Sequence, residues 1–365
     1  MTVHGRDCVY IIAEAGVNHN GSVSVAKQLI EVAAASGADA VKFQTFIAEK
    51  VVSSIAPKAD YQKITTDADE TQLDMIKRLQ LSMHDHIELL EHCTRLGIDF
   101  LSTPFDEASV DILVNDLSLA RIKVSSGEIT NAPLLLKIAR YGRPVILSTG
   151  MSTLGDVEAA LGVLAFGYTE DIATSPPSLS AFKRAFYSKN GQKSLRNMVT
   201  LLHCTTEYPA PYIDVNLRNM DTLRSAFCLP VGFSDHTLGI EVAIAAVARG
   251  AVIIEKHFTL DRNLQGPDHK ASLEPHELVS LISSVRNIEA ALGSPVKVPT
   301  DSEIHNMEIA RKSIVASTNI CEGDIFTEQS LTTKRPGSGI SPMYYWDHLG
   351  KRSNKKYLMD ELITP

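Results

Sequence analysis

The sequence predicts a (β/α)8 barrel of α/β class followed by a small, separate C-terminal module, and three observations carry that prediction. Short apolar runs alternate with helical patterns over about 290 of the 365 residues, and eight such runs can be counted. Each run stops abruptly at charged and hydroxyl side chains, as expected where strand ends share one rim. From Ser294 the alternation lapses, and short β-like runs with Gly/Pro turns take over. An open, doubly wound sheet is the alternative. It ranks lower because polar residues tip every strand rather than one switch-point crevice.

The elements follow in order. Val9–Ala13 is the first strand, followed by Glu14 and the loop Asn18-His19-Asn20-Gly21. Ser22 or Ser24 caps the helix that runs to about Ala35. Ala40–Thr45 is the second strand, and a long polar excursion follows to about Thr71. Helical patterns then run through Leu79 and from His84 to Leu96. The third strand, Asp99–Thr103, is stopped by Pro104. Arg121–Val124, Pro144–Gly150 and Val199–His203 are the fourth, fifth and sixth. Pro230–His236 and Val252–His257 are the seventh and eighth. Helices are expected over Asn131–Tyr141, Leu154–Phe166, Asn219–Phe227, Ile240–Arg249 and His276–Leu292. Thr169–Asn197 is too long for an ordinary loop and reads as a surface insertion. The domain organisation predicted is a barrel over 1–293, a linker over 294–308 and a module over 309–365. That module is small for an independent core.

Composition limits the function. A net charge of −8 argues against nucleic acid or an anionic membrane as partner, and no apolar stretch reaches the length of a membrane span. The first residues, Met-Thr-Val-His-Gly-Arg-Asp, show no signal-peptide pattern. Five scattered cysteines form no CxxC, which suits a reducing cytoplasm and excludes a cysteine-based zinc site.

The most informative feature is a pair of histidines, His236 and His257, each ending one of two successive strands. Alternation places Ser234 with His236 on one face and Glu255 with His257 on the other strand's equivalent face. Adjacent parallel strands would bring both imidazoles together as a divalent-metal site completed by substrate or water. Lys42 and Lys123 lie inside strand patterns, where a charge must find a partner or shift its pKa. Together with Ser126, Ser148 and Thr206 they suit a phosphate or carboxylate on a small substrate. Glu14, Glu128 and Glu255 add carboxylates suited to proton transfer during attack on a carbonyl. Tyr208 and Asp268 stand in loops that face the same end, and Arg335 precedes a Pro-Gly turn in the small module. A Schiff-base lysine, and so a lysine-imine aldolase, is the rival reading. A non-catalytic ice- or glycan-binding protein leaves the charged rim unexplained.

These residues fall in motifs that resemble a known family. They include Ala13-Glu14-Ala-Gly-Val-Asn18-His19-Asn20-Gly21, Val41-Lys42-Phe-Gln44-Thr, Ser102-Thr103-Pro-Phe, Ser125-Ser126-Gly-Glu128 and Leu147-Ser148-Thr-Gly-Met151. Later in the chain come His203-Cys-Thr-Thr-Glu-Tyr208-Pro, Phe233-Ser234-Asp-His236-Thr, Ile254-Glu255-Lys-His257-Phe and Gly266-Pro-Asp268-His. Over essentially its whole length the chain resembles the bacterial N-acetylneuraminate synthases and their legionaminic acid synthase relatives. The tail, with Ala310-Arg-Lys-Ser and Thr333-Lys334-Arg335-Pro336-Gly337, looks like their antifreeze-like (SAF, β-clip) domain. The resemblance implies an alkyl-group transferase that condenses phosphoenolpyruvate with an N-acetylated amino sugar and releases phosphate. N-acetylmannosamine is the sugar expected, and 2,4-diacetamido-2,4,6-trideoxymannose, giving legionaminic acid, is the alternative.

The resemblance also implies roles. His236 and His257 would hold Mn²⁺, with Mg²⁺ or Co²⁺ as other options. Lys42, Lys123, Ser126, Ser148, Thr206 and Ser234 would hold phosphoenolpyruvate, with Glu14 and Glu128 as acid/base groups. Tyr208, Glu255, Asp268 and Arg335 would meet the sugar, the arginine across a domain-swapped homodimer. Some relatives carry Asn where this chain has Thr206.

Overall fold

Period-two alternation of side chains decides what the barrel buries and what it presents. In the computed structural model, which describes residues 8–58, 66 and 70–365, eight strands form one parallel sheet. They are β1 (Tyr10–Gly16), β2 (Ala40–Thr45), β3 (Asp99–Pro104), β4 (Ile122–Val124), β5 (Val145–Ser148), β6 (Val199–Cys204), β7 (Val231–Asp235) and β8 (Ile253–His257). The hydrogen-bonded order is β3-β2-β1-β8-β7-β6-β5-β4. The end strands β3 and β4 lie against one another, which curls the sheet into the expected barrel.

Inside, Ile12, Ala40, Leu101, Ile146, Leu202 and Ile253 form a buried apolar plug. Two residues further along those strands stand Glu14, Lys42, Thr103, Ser148, Cys204 and Glu255. One step of the strand repeat therefore converts a packed core into a polar floor, at the carboxyl ends where barrels carry chemistry. The opposite strand faces, among them Ile11, Phe43, Phe100, Leu147, Phe233 and Ile254, pack beneath the helical layer.

Local signals account for the helices. Ser22, not Ser24, caps Val23–Ser36 by accepting from the Val25 N–H, and Gly37 ends it in the left-handed region. Ser82 and Asp85 form a reciprocal capping box on Met83–Leu96, as do Thr153 and Asp156 on Leu154–Thr169. The segment expected as a surface insertion is instead two helices, Leu179–Tyr187 and Lys189–Met198. Ala181, Ala185 and Leu195 join the main core, and Phe182 meets Phe166 edge-on with ring centroids 5.2 Å apart. Its exposed charges hid this apolar stripe in the sequence. Part of the excursion expected before Thr71 lies outside the described residues, as do the first seven residues of the chain.

The chain divides into compact units at Met1–Gly293 and Ser294–Pro365. Within the second unit, the segment expected as a linker carries a helix at Asp301–Ala310, opened by a capping box between Thr300 and Glu303. The antiparallel strands β9 (Ser313–Ala316) and β10 (Leu331–Lys334) then pair. Ile314, Ile320, Phe326, Leu331, Tyr357 and Ile363 give that unit its own small core.

Candidate active site

A cavity of about 700 Å³ opens at the carboxyl ends of the strands, and most of the predicted site residues line it. These are Glu14, Lys42, Lys123, Ser126, Ser148, Thr206, Tyr208, Ser234, His236, Glu255, His257 and Asp268.

Its floor is ionic. Lys42 Nζ lies 2.7 Å from Glu14 Oε2 and 3.6 Å from Glu255 Oε2, while Lys123 Nζ lies 3.4 Å from Glu255 Oε1. All four side chains are buried. Lys42 donates to Thr103 Oγ1 at 3.1 Å, and Lys123 to Ser148 Oγ at 2.7 Å. Burial pushes the Glu14 carboxyl up to about 7 in spite of Lys42. Two lysines hold Glu255 down at about 2 against the same burial. Burial lowers Lys123, whereas Lys42, held between two carboxylates, is raised. The strand-interior lysines thus found partners, as the sequence required.

A bulge aims Glu14. The β1–β2 register shifts between Glu14 and Gly16, and Gly16 takes φ +53°. A Cβ at Gly16 would stand 3.3 Å from Glu14 Oε1 and 3.6 Å from Asp268 Oδ2, so glycine keeps both carboxyls close to the backbone. Gly150 serves the opposite wall: a Cβ there would come within 2.3 Å of Thr206 Oγ1 and 2.8 Å of Ser126 Oγ. Instead its N–H donates to Ser126 Oγ at 3.0 Å.

The histidines meet as the strand pairing requires, with ring centroids 5.5 Å apart. His236 Nδ1 lies 2.6 Å from the Thr205 carbonyl, an acceptor only, so Nδ1 carries the proton and Nε2 keeps its lone pair. Nε2 lies 3.3 Å from Ser234 Oγ, whose one proton is donated to Glu255 Oε1 at 2.8 Å. Burial lowers His236 to about 4 and drives His257 well below its ordinary value, so both rings are neutral. The buried Nδ1 of His257 has no hydrogen-bond partner and faces Asp268 Oδ2 at 3.9 Å. Neutral rings, one with its tautomer set by a backbone carbonyl, fit a divalent ion. Among the described residues no three His, Cys, Asp or Glu side chains group as a metal cage, so the remaining positions would fall to substrate and water. The Tyr208 ring packs on His236 at 4.3 Å between centroids, and burial raises Asp268 to about 6.

One predicted residue of the barrel stands apart. Glu128 does not wall the cavity, although Gly127 beside it does. After β4 the backbone breaks into a 3-10 turn over Ser126–Glu128. That turn brings Glu128 back to accept from Asn131 Nδ2 at 2.7 Å. Arg335 belongs to the second unit, where its Nε donates to the Ala310 carbonyl at 3.0 Å and the side chain is exposed. Within the loop Asn18-His19-Asn20, Asn18 ties the Phe258 carbonyl to Ser272 Oγ, and neither it nor His19 lines the cavity.

The sequence reading missed an apolar lobe. Phe46, Val52, Met75, Ile76, Leu79 and Phe105 complete the cavity wall. The signal was present in Gln72-Leu-Asp-Met75-Ile76-Lys-Arg-Leu79, whose i, i+3, i+4, i+7 stripe faces inward.

Comparison with known proteins agrees with this architecture. The NeuB family model matches residues 29–297. The chain belongs to the NeuB family. It is 53% identical to the N,N'-diacetyllegionaminic acid synthase of Campylobacter jejuni, over 97% of this chain and 98% of that one. It is 45% identical to the enzyme of the same name from Legionella pneumophila, over 94% and 90%. Among solved structures, the N-acetylneuraminic acid synthetase of Leptospira borgpetersenii, in complex with citrate, superimposes with a TM-score of 0.65. It is 32% identical and covers 84% of this chain and 95% of that one. The relatives favour legionaminic acid synthesis, the alternative, over the N-acetylmannosamine reading.

Proposed function

We propose that this chain condenses phosphoenolpyruvate with 2,4-diacetamido-2,4,6-trideoxymannose and water to give N,N'-diacetyllegionaminate and phosphate. The observation that carries the reading is the buried Lys42–Glu14–Glu255–Lys123 floor set beside two neutral histidines. With two lysines in it and the Glu14 carboxyl raised by burial, that floor suits a phosphorylated carboxylate. Names borne by relatives at 53% and 45% identity support the sugar.

Lys42 and Lys123 bind the anion, and the hydroxyls of Ser126, Ser148, Ser234 and Thr206 orient it; Thr206 Oγ1 is buried with no hydrogen-bond partner. C3 of phosphoenolpyruvate forms the new bond to the sugar's C1, whose oxygen takes up a proton. Water adds at C2, loses a proton, and C2–O cleavage releases phosphate. Glu14 is the group placed to move a proton at the attacking water, since its pKa near 7 lets it accept and return one at neutral pH. His236 and His257 would hold a divalent ion, Mn²⁺ first, which when bound supplies Lewis-acid polarisation of the sugar carbonyl. Tyr208 and Asp268 orient the sugar beside them, and Glu255 positions Ser234 and both lysines. Glu128 is left without a chemical role.

In this reading residues 309–365 are the antifreeze-like module, and Arg335 reaches the sugar from a partner chain in a swapped homodimer. The family resemblance of the tail and the exposure of Arg335 support it. Five free cysteines fit a cytoplasmic enzyme. Among the described residues no helix is long and apolar enough to cross a membrane.

Phosphate release tests the proposal. Phosphoenolpyruvate with the diacetamido sugar should give the higher kcat/KM, and N-acetylmannosamine the lower. Absence of phosphate release with both sugars, in Mn²⁺, would refute it.

A further inference from the structure

The cavity is two-sided, and only one side is explained by an anion and a carbonyl. Apart from the ionic floor, the helix Gln72–Leu79 turns its Gln72, Met75, Ile76 and Leu79 stripe toward the cavity. Met75 and Leu79 pack with Val17 and Phe46 in a buried cluster, against which Phe105 and Ile76 rest. The lobe's side chains therefore pack on one another rather than standing as loose loop residues. Val52 adds a further buried apolar side chain to the wall, and Gln72 also lines the cavity from the same helix face as Met75 and Leu79.

Apolar wall of this kind contributes little to holding a hydroxyl. A hydroxyl set against it gives up its water without gaining a partner, whereas a methyl gives up nothing. The strand ends supply the ionic floor and the histidines. The lobe comes instead from the segment after β2 and from the turn after β3.

We infer that the lobe of Phe46, Val52, Met75, Ile76, Leu79 and Phe105 is the specificity element for the sugar end remote from the aldehyde. It seats the C6 methyl of a 6-deoxy sugar and discriminates against a 6-hydroxyl. Gln72, on the same helix face as Met75, Ile76 and Leu79, supplies an amide partner suited to an acetamido group on the same end. The inference rests on the condensation proposed above and goes beyond it, because the ionic floor and the histidines would serve either sugar.

The test compares kcat/KM by phosphate release for 2,4-diacetamido-2,4,6-trideoxymannose and its 6-hydroxyl counterpart, 2,4-diacetamido-2,4-dideoxymannose. The native enzyme should prefer the deoxy sugar by about 10- to 100-fold, the range over which an apolar pocket separates such pairs. Met75→Gln, of similar size, should narrow that ratio at least about fivefold while the KM for phosphoenolpyruvate stays within about twofold. Val52→Thr, isosteric and gentler on folding, should narrow it in the same direction, and Met75→Leu should retain it. Equal turnover of the two sugars by the native enzyme, or a ratio unmoved in both polar variants, overturns the inference while the condensation stands. Absence of phosphate release with every sugar overturns the condensation and the inference with it.

Discussion

Replacing Glu14 by Gln should make the protein more stable and less active at once. Burial lifts this carboxyl from 4.5 to about 7, with Lys42, 2.7 Å away, acting in the opposite direction. A carboxyl raised above its unfolded value contributes stability that is complete below about pH 4.5 and is lost as pH rises through about 7. At about 1.4 kcal/mol per pH unit, ionising Glu14 in the folded state costs about 3 kcal/mol at pH 8.5. Glutamine behaves as the permanently neutral form. Lys42 would still have Glu255 Oε2 at 3.6 Å. Glu14→Gln should therefore match the native protein near pH 4.5 and exceed it by about 3 kcal/mol near pH 8.5, a Tm rise of about 5–10 °C. The assay is thermal melting of metal-free protein at both pH values, paired with phosphate release, which should fall about 10²-fold or more in kcat. A variant less stable than native at pH 8.5, or an equal shift at both pH values, would refute the reasoning.

Three further outcomes are expected. EDTA should abolish phosphate release and Mn²⁺ restore it, while His236→Ala and His257→Ala should give no recovery; full turnover by metal-free enzyme would count against the histidine pair. Lys256→Met should cost about 3–5 kcal/mol in urea unfolding, because it strands Asp235, buried 2.9 Å away on the outer face of the barrel. An unchanged midpoint would show that this pair contributes little. Arg335→Ala should raise the KM for the sugar and spare that for phosphoenolpyruvate, and mixing it with His236→Ala chains should recover activity if the contact is made in trans. No recovery after verified subunit exchange would place the arginine in cis or outside the site.

Much of the site was legible because strand geometry is local and periodic. Once β7 and β8 pair in parallel, Ser234 lies opposite Glu255, and the alternation that separates Ser234 from Asp235 also separates Glu255 from Lys256. One face then carries the histidines into the cavity, and the other forms the Lys256–Asp235 pair beneath the helices. Both faces follow from period two alone. Glu128 shows where that logic stops. It stands five residues after Lys123, an odd step that strand alternation would turn to the other face, and the 3-10 turn over Ser126–Glu128 ends the alternation before it and leaves it to accept from Asn131. The helices of 179–198 were hidden for a related reason: their charged faces dominate the composition, while Ala181, Ala185 and Leu195 bury only a thin stripe.

By itself the sequence determined the barrel, the end of it that carries the candidate site, and the residue types available there, since hydrophobic period and strand-end polarity are properties of neighbours in the chain. Tertiary structure alone decided which of those groups share a charge, and so their protonation. Glu14 and Glu255 have the same ordinary pKa, yet one rises to about 7 and the other falls to about 2. Both lysines act on both carboxyls, but only Glu255 lies within ion-pair reach of the two and accepts the Ser234 hydroxyl as well, distances no spacing along the chain encodes. The apolar lobe was likewise decided in three dimensions. Its stripe on Gln72–Leu79 could have faced any core, and only packing against Val17 and Phe46 brings it to the cavity wall.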